Sequence, residues 1–351
     1  MKFVDFLHRW LGGVLGLLFV MMGTSGLLLV HADSLFRPAS APIGKVAPDA
    51  KIVAAALERT TARPDYVIFA SEDFPFHQVN YADGSGRYVD LGGRIVTQWS
   101  SHWGRPELWL FDLHRYLLVG EVGETIVGIA ALFGLAFVIS GSLLWWQRRK
   151  SFAFRLWPAR ATRPALLRHH RDLGILVAPL LALSFATGSM MALKPIGLLA
   201  VRPWTSLAEM KAAAAPPKGV GQTMTNPDWP AMLAEAARRF PNAEPRLLGF
   251  PRDEGGLILL RLRQPGEWLP NGYTRLWFAP GDGHLVEARD PRRLPAGVTA
   301  QHAFYALHAA KLGGLPYRLL MSLSGLGLVL LGSLSLWSFW FKRPGRKARR
   351  Q

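Results

Sequence analysis

The sequence predicts a membrane protein, mainly α-helical, in which a four-transmembrane-helix bundle is built as two parallel repeats and carries two small α+β domains on one side of the bilayer. Three observations predict this fold class. Four uncharged apolar stretches are each long enough to cross a membrane, which takes about 20 residues. Long polar segments lie between the first and second stretches and between the third and fourth. The same short motifs occur in both halves of the chain.

The composition excludes several classes of protein. Half of the 351 residues are hydrophobic, and only 19% are charged, a balance opposite to that of disordered chains. The chain has no cysteine. Disulfide frameworks, cysteine-ligated zinc, iron–sulfur clusters, thiol nucleophiles and covalently attached c-type haem are therefore excluded.

The four apolar stretches contain no charged residue. A helix on the surface of a soluble core would show a polar face at the helical period, whereas these stretches are apolar all round. We therefore expect four transmembrane helices, over Leu11–Val30, Thr125–Trp146, Leu173–Leu193 and Leu319–Phe341.

The distribution of charge predicts the orientation. The formal net charge is +17. Nearly all of the excess lies in the basic segment Arg148–Arg171, in the tail after Phe341 and at the N-terminus. Because Lys and Arg are enriched in cytoplasmic loops, we expect a bacterial inner-membrane protein with both termini in the cytoplasm. The excess of basic residues is then explained by the orientation of the protein in the lipid bilayer, which is its expected partner, and no nucleic-acid partner is expected.

These signals divide the chain into eight segments that alternate between membrane and solvent. They are a first transmembrane helix with its cytoplasmic N-terminus (1–32), a first periplasmic domain (33–110), a second helix (111–147), a basic cytoplasmic loop (148–169), a third helix (170–195), a second periplasmic domain (196–305), a fourth helix (306–341) and a basic cytoplasmic tail (342–351).

Each polar segment has helical patterning followed by alternating, strand-like runs with Gly-rich turns. This order is typical of a small α+β module. The expected helices are 49–60 and Trp229–Phe240, the latter capped by Asp228. The expected strands are Tyr66–Ala70, Gln78–Ala82, Arg87–Asp90, Arg246–Phe250, Leu257–Arg263, Thr274–Ala279 and His284–Glu287.

The first and third spans begin with the same motif. Span one begins His8-Arg9-Trp10-Leu11-Gly12, and span three begins His170-Arg171-Asp172-Leu173-Gly174. A hydroxyl residue followed by glycine lies at the same distance from each histidine, as Ser25-Gly26 and Thr187-Gly188. Both halves start on the same side, so this is a parallel repeat, whose halves are related by an axis along the membrane normal.

The second and fourth spans continue the repeat more loosely. Leu113-His114 precedes span two and Leu307-His308 precedes span four, and each span contains Gly-Ser-Leu, at 141–143 and 332–334. The repeat thus supplies one histidine at the predicted cytoplasmic end and one at the outer end of each half.

The repeat predicts that these histidines form two pairs. His8 and His170 are symmetry mates at one depth, and His114 and His308 at the other, so each pair can face across the bundle centre. Helix bundles build cofactor sites from such facing side chains, and haem iron accepts axial histidine without covalent attachment. We expect two haem b groups. The competing interpretation is that each is a solvated interfacial residue.

Basic residues close to the four histidines are candidates to pair with haem propionates. Their positions are also those of ordinary positive-inside residues. They are Arg9, Arg171, Arg115 and Lys311.

The other histidines are weaker candidates. His31 closes span one, His169 neighbours His170, and His302 lies six residues before His308. His31 is an alternative ligand, a substrate contact or an interfacial residue, His169 is an alternative ligand, and His302 is an alternative ligand or a substrate-side residue. His77, His102 and His284 lie in the polar segments, where we expect them to be solvated.

The motifs resemble those of PepSY-associated transmembrane proteins. The resemblance rests on the His-Arg-x-Leu-Gly starts, on Leu113-His114-Arg115-Tyr116 with Gly120 and Gly123, and on Leu307-His308 with Gly313-Gly314. The polar segments resemble PepSY domains at Tyr88-Val89-Asp90 with Gly92-Gly93 and at 278–283. His169 stands where the family usually has leucine.

The resemblance implies an iron-regulated inner-membrane protein, and some members are haem-containing ferric-siderophore reductases. It implies His8, His114, His170 and His308 as haem ligands. The expected activity is reduction of a periplasmic ferric siderophore, or another Fe(III) chelate, with release of Fe(II). Electron transfer needs no catalytic base or nucleophile, so no catalytic side chain is expected.

The electron donor and the function each leave alternatives open. No Gly-x-Gly-x-x-Gly follows a strand, so the donor is expected to be a separate partner, a quinol or a flavin reductase. A haem-free PepSY membrane regulator of protease activity is one alternative. A metal-ion permease is another, although it would need ionisable residues near mid-bilayer, which the four spans lack.

Overall fold

The computed structural model describes residues 1–38, 53, 64–72, 74–155, 157–221, 223, 227–253 and 255–340. The helix expected over 49–60, apart from Val53, and the basic tail lie outside these residues. The described chain divides into a helical unit (1–31, 110–197 and from 308 onward) and a sheet unit (32–109 and 198–307).

The elements alternate between the two units along the chain. In chain order the helices are α1 (Lys2–Val30), α2 (Ala32–Leu35), α3 (Pro106–Tyr116), α4 (Glu121–Gln147), α5 (Arg163–Ala192), α6 (Lys194–Val201), α7 (Leu207–Ala214), α8 (Trp229–Arg239), α9 (Ala296–His308) and α10 (Gly314–Trp340). The strands are β1 (Tyr66–Ile68), β2 (His77–Asn80), β3 (Gly86–Val89), β4 (Ile95–Trp99), β5 (Glu244–Gly249), β6 (Ile258–Arg263), β7 (Thr274–Phe278) and β8 (Leu285–Arg289).

Four helices, α1, α4, α5 and α10, are long and apolar enough to cross a membrane. They coincide with the four predicted spans apart from Leu193, which follows the end of α5, and Phe341, which lies outside the described residues, and this confirms the prediction of a membrane protein. Helix α1 packs along α10, α4 along α5, and α10 against α5. A core of Phe19, Val177, Leu181 and Phe185 lies between them. A Cβ on Gly23 would lie 2.8 Å from a carbonyl oxygen of α10, so small residues set the close α1–α10 approach.

A short helix precedes two of the spanning helices, and the backbone breaks between them. Leu117, Leu118 and Ala310 have positive φ in these breaks, a conformation that costs energy for residues with a side chain. Gly120 combines φ 66° with ψ −142° at the start of α4, a region open essentially to glycine alone. Segments 111–147 and 306–341 therefore each contain a histidine-bearing helix end, a sharp turn and a spanning helix.

The sheet unit contains one eight-stranded antiparallel sheet in the order β4-β3-β2-β1-β5-β6-β7-β8. The two polar segments, expected as two separate modules, each contribute four of its strands. They join where β1 pairs with β5, with Val67 opposite Leu248. The structure also adds β4, whose residues are mostly exposed and which the sequence pattern did not predict.

Helix α8 packs on one face of this sheet. Trp229, Met232 and Leu233 pack with Leu260 and Leu276 in the largest core of the unit. The helix begins where Asp228 accepts a hydrogen bond from the backbone N–H of Ala231 at 2.9 Å, which confirms the predicted cap. A second, smaller core contains residues of α7 and α9.

Candidate functional site

The helical unit brings the four predicted ligands together as two pairs. The ring centres of His8 and His170 are 6.3 Å apart, and those of His114 and His308 are 6.0 Å apart. Bonds from a metal to imidazole nitrogen are about 2 Å long, so two imidazoles on opposite sides of one metal have ring centres about 6 Å apart. Each pair thus has the spacing of a two-histidine axial site.

Three of these histidines share the same hydrogen bond through Nδ1. The partner is a hydroxyl on a spanning helix in every case. The pairs are His8 with Ser140 at 2.8 Å, His114 with Ser25 at 2.8 Å and His308 with Thr187 at 3.1 Å.

The hydroxyls determine where the imidazole proton lies. Each donates its hydrogen to the carbonyl oxygen four residues earlier in its helix, at 2.8 Å for Ser25 and 2.7 Å for Ser140 and Thr187. A hydroxyl has one hydrogen, so each must accept from Nδ1–H of its histidine. The nitrogen left unprotonated is Nε2. Metal-ligating histidines are held in this way, by an acceptor on the other ring nitrogen.

The fourth histidine lacks a hydroxyl partner. The Nδ1 atom of His170 is buried and receives no side-chain hydrogen bond from the described residues. The motif alignment explains the difference, because Leu331-Gly332 occupies the place that Ser140-Gly141 has in the first half. The two halves are therefore equivalent in their histidines and unequal in the groups that orient them.

Glycines leave the space in which three of the imidazoles lie. A Cβ on Gly26 would come within 3.1 Å of His114 Cε1, and a Cβ on Gly188 within 3.2 Å of His308 Cε1. A Cβ on Gly141 would come within 3.3 Å of His8 Cε1. The hydroxyl–glycine dipeptides of the repeat therefore serve two purposes, since the hydroxyl holds Nδ1 and the glycine leaves room for the ring.

The two pairs lie near opposite ends of the bundle. The step along α1 from His8 to Ser25 is seventeen residues, and so is the step along α5 from His170 to Thr187. At 1.5 Å per residue each step covers about 26 Å. Between these levels the ring of Phe19 contacts that of Phe185 and also that of Phe137, which itself contacts His8.

A cavity of about 670 Å³ surrounds the first pair. This volume lies within the usual range for cofactor pockets. Its walls include His8 and His170, apolar rings, and glycines of all four spanning helices. Basic side chains also line it, namely Lys2, Arg9, Arg148, Arg163 and Arg171. Arg148 and Arg163 carry no signal in the sequence beyond their place in the basic segment Arg148–Arg171.

The donor set favours a metal that brings its own equatorial ligands. Within the described residues, no group of three or more His, Asp or Glu side chains is placed to hold a metal ion. A bare ion would therefore find only two histidines at each pair. A haem iron needs only axial ligands from the protein, so the residues present fit haem.

Comparison with known families agrees with the motifs. The family model of the PepSY-associated TM region matches residues 6–343. The chain belongs to the PepSY-associated TM family. No curated protein matches the chain. The matched range contains both histidine pairs of this PepSY-associated TM protein and its whole sheet, which confirms the family resemblance seen in the His-Arg-x-Leu-Gly motifs.

The cations expected near the ligands have partners within the PepSY-associated TM fold. Arg171 forms an ion pair with Asp172 at 2.7 Å, and Arg115 with Glu124 at 2.9 Å. Arg9 lies 3.8 Å from Asp5 in an exposed pair, and Lys311 lies in the turn between α9 and α10. Exposed pairs are weak, so Arg9 is the cation most available to an added carboxylate.

The three alternative histidines lie outside both pairs. His31 Nε2 is hydrogen-bonded to Ser322 at 2.7 Å. Since Ser322 donates to a backbone carbonyl, it accepts from Nε2–H, and this nitrogen is not available to a metal. His169 is buried beside His170. His302 belongs to the sheet unit, where its ring centre is 3.7 Å from that of Tyr273.

One expectation for the polar segments is wrong. His77, expected to be solvated, is 1% exposed because it lies on β2 against Phe69. Its Nδ1 accepts a hydrogen bond from the N–H of Ala70 at 3.2 Å. Burial lowers the pKa of His77 to about 4. His284 is half exposed, as expected.

Proposed function

We propose that this PepSY-associated TM protein is an inner-membrane dihaem protein that reduces a periplasmic Fe(III) chelate, a ferric siderophore for example, and so releases Fe(II) for iron acquisition. The observation that carries the proposal is the pair of two-histidine sites about 26 Å apart, each with a ring-centre spacing close to 6 Å. Bound at these sites, haem iron would supply one-electron chemistry by alternating between Fe(III) and Fe(II).

The protein's own residues would bind and orient the cofactor. His8 and His170 would ligate at one level, and His114 and His308 at the other, each through Nε2. Ser140, Ser25 and Thr187 would hold three of these rings by accepting from Nδ1–H. An acceptor on Nδ1 also raises the basicity of the ligating nitrogen.

Side-chain contacts within the helical unit support the orientation. His8 contacts Ser140 and His170, and Trp340 donates to Gly13 O. The N-terminal ends of α1 and α5 and the C-terminal ends of α4 and α10 are therefore at one end of the bundle. That end carries the basic segments, so by the positive-inside rule we place it, with both termini, in the cytoplasm.

His8 and His170 would then hold the group nearer the electron donor, and His114 and His308 the group nearer the chelate, each group supplying one-electron chemistry when bound. An electron donor at the cytoplasmic face or in the bilayer, a quinol or a flavin reductase, would supply one electron for each Fe(III) reduced. Fe(III) binds hard oxygen chelators more tightly than Fe(II) does, so the one-electron step weakens chelation without hydrolysis of the chelator.

The decisive experiment is absorption spectroscopy of the full chain purified in detergent, before and after dithionite. We expect a reduced α-band and two haems per chain by pyridine haemochrome. In vesicles with a membrane-impermeant reductant trapped inside, we expect Fe(II) to form from an external ferric chelate. A colourless protein would contradict the proposal and favour a haem-free regulator.

A further inference from the structure

Three arginines lie side by side across the sheet. Arg261 on β6 is directly opposite Arg275 on β7, and Arg275 is directly opposite Arg289 on β8. Directly opposed residues project from the same face of a sheet. We name these three residues the arginine row. Like charges in this arrangement destabilise a sheet, so the row needs a compensating interaction.

The arginine row lies against aromatic rings, with Arg275 buried and the other two arginines half-buried. Arg275 is only 7% exposed, and its guanidinium lies 4.2 Å from the ring centre of Tyr273 and 5.0 Å from that of Trp277. Arg289 lies 4.8 Å from the Trp277 ring centre. The rings exclude water, and exclusion of water strengthens the interaction of these cations with any charge that reaches them.

The protein compensates only part of this charge. Arg289 forms an ion pair with Glu287, Arg275 donates to the carbonyl oxygen of Ala213 at 2.5 Å, and Arg261 donates to the carbonyl oxygen of Gly272. Among the described residues, neither Arg261 nor Arg275 has a carboxylate within ion-pair distance. The Nε atoms of both are buried without a hydrogen-bond partner. Two unsatisfied donors on buried cations are costly to leave unpaired.

A neutral histidine borders the row. The ring centre of His302 lies 3.7 Å from that of Tyr273. Burial, with the nearby charges of Arg275 and Arg261, lowers the pKa of His302 to about 4. At neutral pH it adds no positive charge and keeps one nitrogen as an acceptor and the other as a donor.

We propose that the arginine row binds an anionic, carboxylate-bearing small molecule, and that this molecule is the Fe(III) chelate reduced by the protein. The inference rests on the proposed function for the identity of the chelate. Guanidinium groups pair with carboxylates through two parallel N–H···O bonds. Three adjacent strands spread the row over about 10 Å, which suits a ligand with several carboxylates, and the burial of the row favours a small ligand over a protein.

The test is calorimetric titration of the full chain in detergent with ferric citrate, citrate alone and the cationic trihydroxamate complex ferrioxamine B. We expect ferric citrate to bind and ferrioxamine B to bind at least tenfold more weakly. We expect Arg261→Gln and Arg275→Gln each to weaken ferric citrate binding by tenfold or more. The control is Arg238→Gln, which removes an exposed guanidinium paired with Glu235 on α8 and should leave binding unchanged.

The outcomes decide the inference. Unchanged affinity in Arg261→Gln, absence of ferric citrate binding, or equal binding of the cationic complex would overturn it. Binding of citrate alone with the same dependence on Arg261 would support it, because the row would then recognise the carboxylates. Arg275 is deeply buried, so its variant is compared only if its thermal unfolding matches that of wild type. Arg261 is partly exposed, so we expect Arg261→Gln to fold, and its affinity for ferric citrate decides the test.

The same samples separate this inference from the proposed function. The titration needs no reductant, and the haem content is read from the absorption spectrum. Ferric citrate binding by a protein without haem would contradict the proposed function alone. A protein with two haems that fails to bind ferric citrate would contradict the arginine row alone.

Discussion

The half-buried paired histidines of the helical unit differ from the buried His77 of the sheet unit. In the helical unit, His8, His114 and His308 donate Nδ1–H to a hydroxyl and keep Nε2 unprotonated. In the sheet unit, His77 accepts a backbone N–H at Nδ1, so the proton of its neutral ring is on Nε2. That Nε2 is buried and has no partner. His77 is therefore the opposite tautomer of these three paired histidines.

The difference shows that burial alone does not identify a metal ligand. His77 is buried, yet its one lone pair is used by the backbone and no second histidine faces it in the described chain. The helical histidines are paired, and their hydroxyl partners leave the lone pair free. Pairing and tautomer together distinguish a candidate ligand from a structural histidine.

Removal of one ligand should give the largest effect. We expect His114→Ala to lower the haem content from two to one per chain, because one axial bond is lost from the second pair, and to abolish reduction of the external chelate. Pyridine haemochrome analysis and the reduced spectrum measure this. His31→Ala removes a histidine that Ser322 already engages, and it should retain both haems. Two haems in His114→Ala would contradict the pairing.

His77, in the sheet unit, should instead make the free energy of unfolding depend on pH. The unfolded chain binds a proton at His77 near pH 6.5, whereas the folded chain binds it only near pH 4. The contribution of the neutral ring is therefore fully present above pH 6.5 and is lost as the pH falls toward 4. The loss reaches about 3 kcal/mol.

The variant that tests this is His77→Asn, which keeps an acceptor for Ala70 N–H but does not titrate. Thermal unfolding of the full chain from pH 7.5 to 4.5 should fall less steeply in the variant than in wild type. His284→Asn changes a half-exposed histidine and should leave the wild-type slope. Equal slopes in wild type and His77→Asn would show that His77 is not held neutral.

Loss of a hydroxyl partner should give an intermediate effect. Ser25→Ala removes the acceptor for His114 Nδ1–H, and we expect haem at the second pair to bind about tenfold more weakly. Ser324→Ala is the matched control, since Ser324 is a buried serine bonded to Ser184. Haem transfer to apomyoglobin measures the loss. Equal transfer rates for the two variants would indicate that Ser25 does not orient the ring.

The sequence predicted the spans and the pairing because both depend on strong, simple signals. Charge-free runs of apolar residues identify the helices, and the repeat places His8 with His170 and His114 with His308 by symmetry. The sequence could not predict the partner of His8, because Ser140 is 132 residues away. The single sheet was not predicted for the same reason, because the second and third spanning helices separate β1 from β5 in the sequence. Strand β4 was missed because its exposed residues lack the alternation of a buried strand.

The smallest expected effect comes from supplying the hydroxyl that the first pair lacks. Leu331→Ser places a hydroxyl at the position equivalent to Ser140, in the cavity wall beside His170. A hydrogen bond to Nδ1 of His170 would contribute about 1 kcal/mol, so we expect haem release from this pair to slow by about fivefold. Leu328→Ser changes the same cavity wall one helical turn earlier and should give no such slowing. If both variants release haem at the wild-type rate or faster, the difference between Ser140 and Leu331 does not affect how the two halves hold their histidines.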